Sequence, residues 1–234
     1  MKKSFLALLI GSTAFTANAT DNTGFYMSAK GGYSFMTSSK ANTKYKFIDL
    51  KDSYDLDSKL KDNYTYGGAI GYDFYDKLGF PIRTEIEYMM HGQNDSKTEN
   101  QSATKKYSTQ IENKLRIQTL MLNAYFDLKN STSFTPYIGA GIGYAGLKND
   151  MNFTETVGNN PSNKYSLHAK APNVAWSLSA GIQYAITPNV DIDLSYRYFN
   201  AGSYSFNAKN EKQNVDSKFK IESNDILLSV AYRF

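Results

Sequence analysis

Alternation with period two recurs in eight segments of this 234-residue chain, and no other feature narrows its possible folds so much. A β-strand turns successive side chains to opposite faces, so such a pattern marks a strand with one apolar face. From Gly24 to Thr37, Phe25, Met27, Ala29, Gly31, Tyr33 and Phe35 oppose Tyr26, Ser28, Lys30, Gly32 and Ser34. From Asn63 to Tyr75, Tyr64, Tyr66, Ile70, Tyr72 and Phe74 oppose Thr65, Gly67, Ala69, Gly71 and Asp73. In the third segment Ile82, Ile86, Tyr88 and Met90 oppose Arg83, Glu85, Glu87 and His91. The fourth, about Lys114 to Leu128, keeps Leu120, Leu122, Ala124, Phe126 and Leu128 in phase, but Leu115 and Ile117 fall on the other parity. A bulge near Gln118 or Thr119 is expected to reconcile them.

The fifth segment sets Phe134, Ile138, Ala140, Ile142 and Tyr144 against Tyr137, Gly139, Gly141 and Gly143. The sixth sets Val174, Trp176, Leu178, Ala180, Ile182, Tyr184 and Ile186 against Ser177, Ser179, Gly181 and Gln183. Val190, Ile192, Leu194, Tyr196 and Tyr198 form the apolar face of the seventh, and Ile226, Leu228, Val230, Tyr232 and Phe234 that of the eighth. The 19 Tyr, 14 Phe and 16 Gly suit this reading, because aromatic residues favour strands.

Long and short connections take turns. The long ones are Ser38 to Asp62, Gly92 to Asn113, Lys148 to Pro172 and Asn200 to Phe219; the short ones are Asp76 to Phe80, Lys129 to Ser133 and Thr187 to Asn189. An up-and-down barrel puts alternate connections at opposite ends, so one rim is trimmed and the other is elaborate.

Which face of the barrel is apolar decides what surrounds it. Lys30, Asp73, Arg83, Glu85, Glu87, Asp191, Asp193, Arg197 and Arg233 share one face and carry both signs of charge, while the other face is aliphatic and aromatic. Enclosed in a narrow lumen, such charges can pair. Facing lipid, each Arg or Lys would cost about 2–4 kcal/mol near the midplane. The apolar face therefore meets lipid. The strands have the roughly 9–11 residues that cross hydrocarbon when tilted, and a sheet there must close, since an open edge leaves backbone groups unsatisfied. The reading is all-β: an eight-stranded antiparallel up-and-down transmembrane β-barrel with four long extracellular loops. Tyr33, Phe35, Tyr72, Phe74, Tyr144, Trp176, Tyr196, Tyr198, Tyr232 and Phe234 are expected at the membrane interfaces.

These residues carry a resemblance. The first strand Gly24-Phe25-Tyr26-Met27-Ser28-Ala29-Lys30-Gly31-Gly32-Tyr33, the segments Ile82 to Tyr88 and Pro136 to Gly143, and the ending Ile226 to Phe234 resemble the small eight-stranded outer-membrane barrels of the opacity-protein, surface-antigen and OmpX/OmpA-barrel type. The resemblance covers nearly all of the chain after its first segment. It implies a Gram-negative outer membrane, with lipid and lipopolysaccharide as surroundings. It also implies insertion by the barrel-insertion machinery, for which Val230, Tyr232 and Phe234 resemble the assembly signal.

The chain starts Met1-Lys2-Lys3, runs apolar from Phe5 to Ile10 and reaches Ala17-Asn18-Ala19 before polar Thr20, the order of a cleaved signal peptide. Residues 1–19 are read as that peptide and 20–234 as one barrel domain. Without Lys2 and Lys3 the balance of 26 basic against 22 acidic residues becomes 24 against 22. Lys alternates with Asp and Glu in the polar stretches, which excludes a basic patch for nucleic acid. The absence of cysteine excludes disulfides and thiolate metal sites.

Chemistry of other kinds finds little footing. His91 and His168 have no nucleophile motif around them, although Ser166 lies two residues before His168. Asp49, Asp52, Asp55 and Asp57 are interrupted by Lys51 and lack the glycine of a calcium loop. No enzyme, cofactor or metal is expected, and the lumen charges read as an ion-pair network, since eight strands leave a lumen that side chains just fill. Tyr45, Phe47, Tyr54, Tyr107, Phe153, Tyr165, Tyr204 and Phe206 stand in the long polar connections as contact candidates. The function expected is a surface protein presenting loops for adhesion to host surface or matrix molecules, or for contact with the envelope. A structural or weakly conducting porin-like barrel is the alternative, ahead of a lipid A-modifying enzyme.

Overall fold

A computed structural model describes residues 24–38, 42–47, 62–101, 107–157, 160–210 and 213–234. They form β1 Phe25–Ser38, β2 Asn42–Phe47, β3 Asn63–Asp73, the helical turn α1 Tyr75–Leu78, β4 Ile82–Gln101, β5 Tyr107–Asp127, β6 Phe134–Val157, β7 Asn160–Thr187, β8 Val190–Asn210 and β9 Gln213–Arg233. Neighbours pair antiparallel in the order β1-β3-β4-β5-β6-β7-β8-β9, and β1 returns to pair with β9, so eight strands close into a barrel. β2 prolongs the line of β1: pairing of β1 with β9 runs to Ser38↔Ile221, and β2 resumes it at Asn42↔Lys218.

The alternation resolves into an outside and an inside as the sequence indicates. Ile70, Ile86, Ile142, Leu178, Leu194 and Leu228 are exposed on the outer surface, with Ile70 62% accessible. Thr65, Asp73, Arg83, Glu85, Glu87, Asn123, Asp191 and Arg197 are buried within. Burial of charge inside and exposure of aliphatic side chains outside inverts a water-soluble protein and suits a lipid solvent. Aromatic pairs gather in two belts. Phe25 with Tyr72, Tyr72 with Phe74, Phe134 with Tyr184 and Tyr232 with Phe234 lie by the short turns, at centroid distances of 4.7–5.2 Å. Tyr33 with Phe35 and Tyr64, and Trp176 with Tyr198, lie at the other end, at 5.1–5.4 Å. Aromatic rings favour the two membrane interfaces, about 25 Å apart.

The short connections are tied by polar side chains. α1 fills the first, ended by Gly79 in the left-handed region (φ 69°). Asn130 accepts from the backbone N–H of Thr132 at 2.8 Å in the second. In the third, Asn189 exchanges hydrogen bonds with the backbone of Arg233.

Two details depart from the sequence reading. Pairing of β5 with β6 runs unbroken through Gln118 and Thr119, so the expected bulge is not there. Leu115 and Ile117 keep the inward parity of Thr119 and Met121 and are buried, because the lumen itself is apolar at that level. The irregularity lies on the neighbouring strand instead, where β4 spends four residues, His91 to Asn94, against the three of β5 from Ile117 to Leu115. The second detail concerns the long connections. Ladder pairing continues through them, to Gln101↔Ser108 between β4 and β5, Val157↔Asn160 between β6 and β7, and Asn210↔Gln213 between β8 and β9. Strand structure thus extends well beyond the level a membrane needs.

Candidate functional site

Inside the barrel the charges form tiers, each side chain set by the inward parity of its strand except that of Lys129, which comes from the turn after β5. Beside the short turns, Arg233 donates from Nε to Asp191 at 2.6 Å and from Nη1 to Asp73 at 2.8 Å. Lys129 Nζ lies 3.3 Å from Asp73 Oδ2 and 3.5 Å from Asp127 Oδ2. Arg83 Nε donates to both oxygens of Asp127, at 2.8 and 3.0 Å, while its guanidinium sits 5.0 Å from the ring of Tyr125 and 4.9 Å from that of Tyr137. In the middle, Lys30 Nζ bridges Glu85 at 2.5 Å and Glu87 at 2.8 Å. Tyr26 and Tyr125 donate their hydroxyls to Glu85, and Ser229 donates to Asp193 at 3.2 Å. Above, Arg197 reaches Glu87 at 2.6 Å and Asp225 at 2.7 Å, and Ser34 also donates to Asp225.

Glycines make room for the rings. A Cβ on Gly71 would lie 2.3 Å from Tyr26, and one on Gly139 equally close to Tyr125. Side chains thereby fill the bore across this level.

Nearer the long-connection end the lumen changes character. Met36, Leu115, Ile117, Met121, Ala145, Leu147, Ala175, Phe199, Ala201 and Ile221 form one buried apolar cluster. His91 stacks on Phe199 at the edge of that cluster, centroids 5.8 Å apart and planes at 25°. Among the described residues an apolar tier thus lies over a charged one.

Each of the nine charges named from the sequence is thus placed in the lumen. Three partners escaped the sequence reading: Asp127, Asp225 and Lys129. Asp127 and Asp225 sit on inward parity, four residues from Asn123 and Ser229, a signal masked for Asp127 by the out-of-phase Leu115 and Ile117. Of the connection aromatics, Tyr54 lies outside the described residues; Tyr45, Phe47, Tyr107, Phe153, Tyr165, Tyr204 and Phe206 fall on strands whose side chains at those positions are outside the description, as is that of His168. Residues 1–23 also lie outside it. Val230 and Tyr232 face outward, and the backbone N–H of Phe234 donates to Phe25 at 3.0 Å where β9 closes on β1.

With this geometry in place, the likeness to known proteins is informative. The family model for the outer membrane protein β-barrel domain matches residues 4–234. Outer membrane protein PagN of Salmonella typhimurium is 34% identical over 242 residues, spanning 100% of both chains. Opacity protein V28 of Neisseria gonorrhoeae is 26% identical over 207 residues, 78% of this chain and 80% of that protein. Among solved structures, Neisserial surface protein A shares the fold at a TM-score of 0.51 and 17% identity, covering 91% of this chain and 98% of that one. The chain therefore belongs to the outer membrane protein β-barrel domain family, with its lipid-facing barrel set in the bacterial outer membrane.

Proposed function

We propose that this protein is a closed membrane scaffold whose work is done by the strand-built extensions at its extracellular rim, through adhesion to host surface or matrix molecules. One observation carries the reading: the bore is filled by paired charges and topped by an apolar tier, while β4 to β9 run on past it as paired hairpins. A rigid barrel with adaptable connections is a common way to present a binding surface. The likeness to outer membrane protein PagN and to an opacity protein supports a surface role. On this reading Tyr45, Phe47, Tyr54, Tyr107, Phe153, Tyr165, Tyr204 and Phe206 supply contacts, and the lumen ion pairs are structural. On this reading the protein has no enzymatic role, and His91, stacked on Phe199, belongs to the packing of the lumen. Residues 1–19 are removed on export, and Val230, Tyr232 and Phe234 address the chain to the insertion machinery.

The test is deletion of each long connection in turn, with binding of host cells and matrix proteins by expressing bacteria as the readout. Loss with at least one deletion is expected. Full retention by all four, with normal surface display, contradicts the proposal.

A further inference from the structure

The bulges of β4 and β8 share a construction that the barrel repeats on opposite sides. On β4 the register slips by one residue between His91 and Asn94, and on β8 it slips likewise between Asn200 and Ser203. Next to each bulge an asparagine on the preceding strand takes over the ladder. Asn63 donates from Nδ2 to the carbonyl of Gln93 at 3.0 Å, and Asn173 donates from Nδ2 to the carbonyl of Ser203 at 2.8 Å. Each asparagine also accepts from the next backbone N–H, that of Tyr64 and that of Val174. A glycine admits each carboxamide: a Cβ on Gly92 would lie 2.2 Å from Asn63 Oδ1, and one on Gly202, whose φ is +79°, 2.4 Å from Asn173 Nδ2.

At these clasps the strand pairs part. β3 pairs with β4 only as far as Thr65↔His91, and β7 with β8 only as far as Trp176↔Asn200. In the eight-strand order the two partings are four strands apart, so they face each other across the axis. Above them the extracellular β-structure is two sheets, one of β4, β5, β6 and β7 and the other of β8, β9 and β2.

Both strands at the second parting continue, β7 back to Asn160 and β8 on to Asn210, and among the described residues no strand pairs with their facing edges. Proline on β7 at 161 and 172 fits an edge, where a missing N–H breaks no ladder. Unpaired main-chain donors and acceptors on an extended edge are a template for another extended main chain. Charge selects which one. From Asn160 to Ala175 the β7 edge holds Lys164 and Lys170 and no acid, and from Ala201 to Asn210 the β8 edge holds Lys209 and no acid. Acids begin one strand further in, with Asp150 and Glu155 on β6 and Asp216 on β9.

We propose that the seam between the upper parts of β7 and β8 is a docking site for an extended acidic segment of a partner polypeptide, which adds to these edges as a strand. This deepens the surface-interaction reading and rests on it. The test measures binding of the full barrel in detergent to a labelled ten-residue peptide of alternating Glu and Val, and to the same peptide methylated on alternate backbone amides. Methylation keeps the charge and removes ladder donors. The expected result is saturable binding of the first and at least about tenfold weaker binding of the second. A K164E/K170E variant, shown folded by its heat-modifiable electrophoretic mobility, should weaken the first by a similar factor. Equal binding of both peptides, binding of neither, binding that the double variant leaves unchanged, or binding only of a sulfated polysaccharide overturns the proposal. Loop-deletion adhesion would still stand or fall separately.

Discussion

Asp127 shows how a single carboxylate is obligatory here. Its two oxygens take both bonds from Arg83 Nε, and burial removes water as a substitute partner. Breaking a buried pair from one side leaves an uncompensated charge and costs roughly 3–5 kcal/mol, whereas removing both ends in favour of apolar groups costs far less. D127A is therefore expected to lose roughly 3–5 kcal/mol in urea unfolding of the vesicle-inserted barrel. The double variant R83M/D127L should recover most of that loss; a double variant as weak as D127A would show that the pair is not the cause. At this scale the sequence discloses which residues face inward, since parity alone decides it. Which acid meets which base is not legible: Arg83 and Asp127 are 44 residues apart, and Arg197 and Glu87 are 110 apart. The clasps are illegible for the same reason, as a single Asn or Gly means nothing until the opposite strand is known.

Strands and their ladders were the most legible level, and the fourth segment shows where legibility failed. A charged-inside rule makes Leu115 and Ile117 look out of phase, and a bulge seems necessary. In the fold they stay in phase and line an apolar tier with Phe199 and Ile221. The polarity of an inward face thus varies with height, which period-two counting ignores. That tier makes a prediction of its own. Phe199 is 1% exposed and enclosed by protein, so F199A leaves a cavity and should cost about 3–5 kcal/mol in the same unfolding assay. Leu228 is half exposed to lipid, whose chains refill the space, and L228A should cost much less. Comparable losses at the two sites would mean that Phe199 is not in a sealed tier. In the sequence the extracellular extensions look like polar connections because Asn, Ser, Thr and Lys dilute the alternation there; main-chain pairing with the adjacent arm holds them in strand form instead.

For the molecule as a whole, a filled bore and two extracellular sheets divide the labour: the membrane part holds, and the outer part meets partners. The wild-type barrel should give no steady openings in a planar bilayer, and sustained channels would return the porin-like alternative. The account depends most on the apolar face meeting lipid, and the chain offers its own reporter. Trp176 is its single tryptophan, on the outer face and paired with Tyr198 in the extracellular belt. Reconstitution into vesicles of brominated lipid measures contact between that ring and acyl chains. Strong quenching is the result expected, greatest when bromine sits near the headgroup end of the chain, with little quenching by aqueous iodide. Emission untouched by brominated lipid and extinguished by iodide would place Trp176 in water and contradict the inverted barrel.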